Sequence, residues 1–552
     1  MPRIIPFCFF ATALAAVTFF SGCTLPFQSS DGDGSGYTFT FSIDSNPKTL
    51  DPQSATDSAS MTIIRNLYEG LFEMDEEGNL QYAAAKSVAV SSDGLVYTVM
   101  LNDDHYWYYD KNGDDVIDDG ETWSLTAADY VYAFQRMFNP ETQSPYRETF
   151  ACLENAQAII DGTADYTEIG VRAVSDTQLQ FILDYANTRF LSLLSTTAAM
   201  PCSEKFFQQT KGRYGLDQSS VASCGAFYLR LWFYDSYGSD NLIYMRRNSA
   251  NTDARSVYPT ELTVHIRNSQ QSVADDLTSS ESDLIMTSIY STDYENEDNY
   301  VVNESEATTL GLIFNPNSNV FSNQKIRRAL SIGIDRSSIG ENSDGDLTGT
   351  SGIIAPAVYW NGTNYRESYP ETVITYDEAT AVQYMQVGMA ELGIESLDST
   401  KILMCRTLMD CENLHDIIQT WQDIFGFYIG IEEVTESEYW ERISDGDYTI
   451  AVYGITGSSN DPASVLEQFA SGNVFQYVDE EVDQQIIALG KCQTDSELLE
   501  QCAALEQEIL NDDWFIPIFY KKQYCIASAG NTDLNFDPFA QTLNLRSAKY
   551  FG

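Results

Sequence analysis

The sequence predicts an α/β protein of two or three domains. Three observations lead there. The chain has 552 residues, more than a single hydrophobic core organises before a protein divides. Its hydrophobic fraction of 43% and aromatic fraction of 13% are those of a folded body. Segments of helical period also alternate along it with short strand-like runs bounded by Gly, Asn and Asp.

Met1 to Cys23 reads as a targeting segment. Arg3 precedes an apolar run from Ile4 to Phe20, which is shorter than the ~20 residues of a membrane span. Phe20-Ser21-Gly22-Cys23 resembles a bacterial lipoprotein processing site, with the Cys23 thiol as lipid acceptor. The alternative is an ordinary secretory signal with an incidental cysteine. Residues 24–36 follow as a flexible polar linker containing SSDGDGSG, the composition of a tether. No later apolar run approaches membrane length, so the expectation is a body held at the membrane by lipid, with more than one acyl chain.

The formal charge of -51 excludes nucleic acid as a partner, because phosphate contacts need clustered Lys and Arg. So acidic a surface keeps a protein soluble outside a cell, or steers cationic ligands. The 34 tyrosines and 29 phenylalanines serve packing or line a cleft.

The stretch Ser45 to Tyr108 organises the rest. Pro47 and Pro52 hold its first part extended. A helix follows on Ile64, Leu67 and Leu71, with Tyr68 beside them. Gly70 and Asp75 to Asn79 break it into a turn, and Leu95 to Leu101 is a strand with Tyr97, Val99 and Leu101 on one face. Leu50-Asp51-Pro52, Tyr68-Glu69-Gly70-Leu71, Asp75 with Gly78, Ser92-Asp93-Gly94 before Tyr97, and Trp107 stand in an order that resembles the opening of bacterial ABC-importer solute-binding proteins. The family is extracellular solute-binding protein family 5, whose members bind oligopeptides, dipeptides or nickel complexes.

Asp110 to Glu121, DKNGDDVIDDGE, places Asp110, Asn112, Asp114, Val116, Asp118 and Glu121 at positions 1, 3, 5, 7, 9 and 12 of an EF-hand-type calcium loop, Val116 through its carbonyl. Asp115 stands where that loop wants Gly, and no helix pair flanks it. The alternative is a solvated acidic insertion lengthening a hairpin.

Thr126 to Phe138 is a helix opened by a capping box of Thr126 and Asp129, with Ala127, Val131, Phe134 and Phe138 inward. It and Ser144-Pro145-Tyr146 match further blocks of the family. Arg172 to Leu183 is a turn and strand. Ser223 to Tyr228 resembles the return to the first lobe, with Gly225 as a hinge position. Leu242 to Met245 and Leu262 to Ile266 alternate as strands. Leu312 to Asn315 is a strand, and Asn323 caps a helix with Ile326, Ala329, Leu330 and Gly333 inward. Helices are expected at Asp377 to Leu392 before Gly393, Cys411 to Phe425 before Gly426, Glu480 to Leu489 and Asp495 to Leu510. Strands are expected at Tyr448 to Tyr453 and Phe515 to Tyr520.

Eight cysteines remain beyond Cys8 and Cys23. Local pairs Cys202–Cys224, Cys405–Cys411 and Cys492–Cys502 suit an exported protein; buried free thiols are the alternative. His105, His265 and His415 are the only histidines, and no GxSxG, HExxH or phosphate loop accompanies them. The expectation is a protein that is not an enzyme.

The resemblance implies a type II periplasmic-binding-protein fold with two lobes and an additional domain. The first lobe is expected from residues 37–72, 201–305 and 515–552, the additional domain from 73–200, and the second lobe from 306–514. It implies a monomer on the outer face of the cell membrane, holding a peptide or similar small solute between the lobes and delivering it to an ABC permease. A surface sensor on the same fold is the alternative. By the same resemblance the ligand residues are Asn46, Tyr146, Tyr453, Gly454, Ile455, Thr456 and Ser458, with core packing the alternative for Tyr146. The loop Gly454 to Pro462 departs from the oligopeptide binders. Ile455 replaces their aromatic residue, and Ser458 replaces the Asp that pairs with a ligand's α-amine. No cofactor is expected beyond calcium at the acidic loop.

Overall fold

The structure, a computed structural model, describes residues 36–251, 256–296, 298–339 and 346–551. The leader, Cys23 and nearly all of the polar linker lie outside the described residues.

One mixed sheet of eleven strands runs through both halves of the molecule. In the first half Thr38–Ile43 lies between Glu261–Ile266 and Leu284–Thr287, parallel to both. Its alternation buries Phe39, Phe41 and Ile43, as a period of two on a half-buried strand requires. Leu242–Arg247 and Phe227–Phe233 extend this half antiparallel to the edge. In the second half Lys401–Cys405 lies between Gly430–Val434 and Ile450–Thr456, again parallel to both.

Two long antiparallel strands, Tyr300–Phe314 and Phe515–Ser528, join the halves. The Tyr524 to Ala527 end pairs with Leu284–Thr287 and the Thr308 to Phe314 end with Ile450–Thr456. Their register slips twice, leaving Ala307 unopposed on one strand and Ile518 on the other. Such bulges bend a strand and sharpen its twist. Gly311 sits beside the second slip, where a Cβ would come within 2.5 Å of the Ile516 carbonyl and the Phe515 ring. The sequence pattern predicts only the apolar ends of these strands, Leu312 to Phe314 and Phe515 to Tyr520. Their polar middles, Asn303 to Glu306 and Lys522, face a cleft instead of a core, so no apolar alternation marks them.

A four-stranded sheet, Ala85–Val90, Val96–Leu101, Gln178–Ile182 and Val171–Ser175, packs under the helix Ala127–Phe138. Thr126 caps this helix, its N–H donating to Asp129 Oδ2 at 2.8 Å. Tyr130, Ala133, Phe134 and Met137 fill the buried face; Val131 lies on the flank. The core here is continuous with that of the first half, since Val99, Phe134 and Phe181 share a cluster with Phe39, Phe41 and Leu67. Arg136 ties the two parts. Its guanidinium forks onto Asp51 at 3.1 and 2.5 Å and lies over the Phe207 ring at 4.2 Å. A buried bidentate pair of this kind is strong and directional, and it gives the Leu50-Asp51-Pro52 motif a structural task.

Gly225 is held by a close backbone contact. Its φ is not left-handed, its N–H donates to the Leu67 carbonyl at 2.8 Å, and a Cβ would meet the Tyr68 backbone at 2.7 Å. Glycine is needed there because two backbones touch within one half. The three expected disulfides are absent. The eight cysteines of the described residues carry free thiols, and all but Cys411 are buried. Cys202 Sγ accepts from Arg136 at 3.3 Å and Cys224 Sγ from the Glu69 N–H at 3.4 Å. Burial pushes the Cys152 thiol up to about 11, so it stays protonated and unreactive.

Asp513 follows the helix Asp495–Asp512 and is 1% exposed. Burial pushes its carboxyl up to about 7, against the opposing pull of Arg328 and Arg327. The native state therefore keeps a proton that the unfolded chain releases near pH 4. This contribution makes stability rise as pH is lowered from about 7 toward 4. Asp513→Asn, which cannot ionise, is expected to flatten that part of the curve. Urea unfolding of both proteins at pH 5 and 7.5 measures it, and parallel curves would refute the assignment.

Candidate functional site

A cavity of about 920 Å³ lies between the halves, above the two long strands. Val302 to Glu306 and Lys522 form its floor. Met61 and Arg65 come from one stripe of the helix Ser58–Leu67, four residues apart, while Ile63, Ile64 and Leu67 on the other face anchor it in the core. Phe536 to Ala540 and the turn Met74 to Glu77 complete that side. Opposite stand Thr348, Pro356, Ala357, Tyr359 and Ser458 to Asn460.

Hydrogen bonds cross between the sides. Asn460 accepts the Tyr359 N–H at 2.7 Å and donates to the Glu76 carbonyl at 3.0 Å. The Gly362 N–H reaches the Glu77 carbonyl at 2.9 Å. Beneath them Arg189 donates from Nε to Asp461 at 2.5 Å and pairs with Glu467. Burial works against the guanidinium's charge, but the two carboxylates outweigh it and raise its pKa. Asp461 also caps the helix Pro462–Leu466, accepting the Ala463 N–H at 2.9 Å.

Of the residues singled out in the sequence, Ser458 lines the cavity. Tyr453, Gly454, Ile455 and Thr456 lie in the adjoining strand. Gly454 and Ile455 pair with Leu310 and Thr309, the Ile455 side chain is buried, and Thr456 Oγ1 is 2.8 Å from Thr308 Oγ1. The Tyr453 ring packs on Phe475, centroids 5.2 Å apart. Asn46 lies apart, accepting from Trp232 Nε1 at 2.9 Å, and the Tyr146 hydroxyl bonds the Ala55 carbonyl. Sequence reasoning missed Glu306, Tyr359 and Asn460. Only a polar stretch marks the first, and no local signal marks the others.

The acidic loop Asp110 to Glu121 is an exposed turn between the paired strands Tyr106–Tyr108 and Thr122–Ser124. Asp115 takes the left-handed φ of 63° that a calcium loop gives to Gly. Its carboxylate meets Tyr228 at 2.8 Å, Arg230 at 2.8 Å and Arg246 at 2.7 Å. Burial is the largest single effect and raises its pKa, but the Tyr228 hydroxyl and the two guanidiniums together outweigh it and hold the carboxyl below the ordinary range. Glu121 accepts the N–H groups of Lys111 at 2.9 Å and Asp118 at 3.1 Å. Asn112 turns its amide nitrogen to Asp118 at 2.9 Å. Among the described residues, the group of His, Cys, Asp or Glu side chains close enough to share an ion is His265, Asp276 and Glu281. Arg267 already lies 2.6 Å from Asp276, 3.0 Å from Glu281 and 3.3 Å from His265, so the cluster has its own cation.

Two α/β halves joined by two strands, with a polar cavity over the joint, define a type II periplasmic binding protein. The chain belongs to the bacterial extracellular solute-binding proteins of family 5, whose middle region matches residues 79–477. It is 25% identical over 462 residues to the dipeptide-binding protein of Lactococcus lactis subsp. cremoris, covering 79% of each chain. It is 25% identical over 469 residues to the oligopeptide-binding protein OppA of Bacillus subtilis, covering 82% of each. Its fold matches Listeria monocytogenes OppA bound to peptide with a TM-score of 0.73 at 20% identity, over 94% of this chain and 99% of that one. Among the described residues no helix is long and apolar enough to cross a membrane.

Proposed function

We propose that this chain is the capture component of an ABC importer for peptides. It is tethered by lipid at Cys23, acts as a monomer outside the cell, and passes its ligand unchanged to a membrane permease. The observation that carries the proposal is the cavity of about 920 Å³, at the upper end of the range for small-ligand sites, placed over the only strands that join the halves in the main sheet of the described residues. Relatives named for dipeptide and oligopeptide binding support the ligand class. A polar floor suits an extended ligand held through its main chain, which gives affinity without reading side chains.

In this reading the lobes are residues 37–72, 201–305 and 515–552 against 306–514, with 73–200 as the additional domain. Closure bends the long strands near Ala307 and Ile518. Ser458 lies where the ligand's amino end would sit, flanked by Gly454 to Thr456.

The test is calorimetric titration of the wild type and Ser458→Asp with short peptides, free and acetylated at the N-terminus. Ser458→Asp is expected to tighten binding of the free amine about tenfold, equivalent to ~1.4 kcal/mol, through a charge-assisted bond. Unchanged curves count against that placement, and no heat from any peptide ends the peptide reading. Calcium at the acidic loop joins the proposal on the strength of the Asp115 backbone. Absence of heat at millimolar calcium removes it.

A further inference from the structure

We propose that the cleft selects cationic ligands, and that its substrates are peptides carrying lysine or arginine side chains. This rests on the peptide reading above. The argument is the charge balance of the cavity wall. Six acidic residues line it, Asp75, Glu76, Glu77, Glu304, Glu306 and Asp537, against two basic ones, Arg65 and Lys522.

Both cations are already engaged. Arg65 Nη1 lies 2.7 Å from Asp537 and 2.8 Å from Thr542 Oγ1. Lys522 Nζ lies 2.9 Å from Glu304. Four carboxylates remain, and among the described residues no Lys or Arg forms an ion pair with any of them. Neutral donors hold Asp75 in place: the N–H groups of Glu77 at 3.1 Å and Asn79 at 2.8 Å, and the Gln81 amide at 2.9 Å. They fix its direction and leave its charge. Glu306 accepts the Thr348 hydroxyl through one oxygen at 2.7 Å. It stands on the floor, while Asp75, Glu76 and Glu77 stand on the rim.

A cleft walled by one sign of charge focuses its field on the space between. A ligand with a basic side chain gains that field, whereas an anionic ligand meets no uncommitted cation. It would have to draw Arg65 from Asp537 or Lys522 from Glu304. The missing Asp at position 458 removes one carboxylate from the loop but leaves the sign of the wall unchanged.

The experiment is calorimetric titration of the full chain with peptides of three and five residues that differ only at the central position: lysine, norleucine or glutamate. It is run in 20 and 300 mM NaCl. The lysine peptide is expected to bind at least about 30-fold tighter than the glutamate peptide at low salt. That ratio should shrink at high salt, where the screening length is several-fold shorter. Glu306→Gln is expected to reduce the ratio at least threefold. Binding of all three peptides within twofold at both salt concentrations overturns the charge preference and leaves the peptide reading standing. Absence of binding by all three overturns both.

Discussion

Replacing Arg189 with methionine is expected to lower the unfolding free energy by about 3–5 kcal/mol, the usual result of removing one partner of a buried ion pair. Asp461 is fully buried, and burial already raises its pKa against the pull of Arg189, so without the guanidinium its charge stays uncompensated until it takes up a proton. Its second task, capping Pro462–Leu466, would suffer with it. The pair also spans 272 positions of sequence and fastens the segment after the four-stranded sheet to the wall that carries Asn460. The loss should therefore loosen the cleft as well as the fold, raising the dissociation constant of any bound peptide. Urea unfolding followed by tryptophan fluorescence measures the first effect, and calorimetry the second. The double variant Arg189→Met, Asp461→Asn is expected to recover part of the stability, because Asn removes the stranded charge and still caps a helix. A single variant within 1 kcal/mol of the wild type would show that the strap is dispensable.

Glu506→Ala is expected to have a comparable effect by another route. Glu506 lies in the helix Asp495–Asp512 and is 6% exposed. Its Oε1 accepts the N–H groups of Ile353 at 2.7 Å and Ile354 at 2.9 Å. Oε2 accepts from Arg366 Nη1 at 3.1 Å, and a second Arg366 nitrogen pairs with Oε1. Truncation leaves two buried amides unsatisfied, at about 1–3 kcal/mol each, and takes the counter-charge from the Arg366 guanidinium, which keeps its bond to the Ile354 carbonyl at 2.6 Å. The segment these bonds hold leads directly to Pro356, Ala357 and Tyr359 on the cavity wall. Peptide affinity should fall at least tenfold together with the melting temperature. Glu506→Gln keeps an acceptor for the amides and loses the charge opposite Arg366, so it should fall between. A variant that melts lower but binds as before would separate this wall from ligand capture.

Both sites show what local sequence conveys and what it does not. The helix Glu480–Leu489 is read to the residue. The cap at Asn323 and the stops at Gly393 and Gly426 lie where expected, because these signals concern neighbours within one turn. Asp461 beside Pro462 is legible as a helix start for the same reason. That it also receives Arg189 is not, since nothing near position 189 announces a partner 272 residues away. The disulfide expectation failed similarly. Closeness in sequence did not pair the thiols: the eight cysteines of the described residues are free, and all but Cys411 are buried.

By itself the sequence determined the family, the α/β class and most elements. Apolar periodicity and capping residues act over a few positions, and the Leu50-Asp51-Pro52 and Tyr68-Glu69-Gly70-Leu71 blocks are local too. Tertiary structure alone decided the cleft. Its wall is collected from the first helix, a turn, two loops, two crossing strands and the C-terminal hairpin, and long-range sheet pairing brings them together. The residues that face it are polar because they border water, so they carry no periodic mark until the fold assembles them.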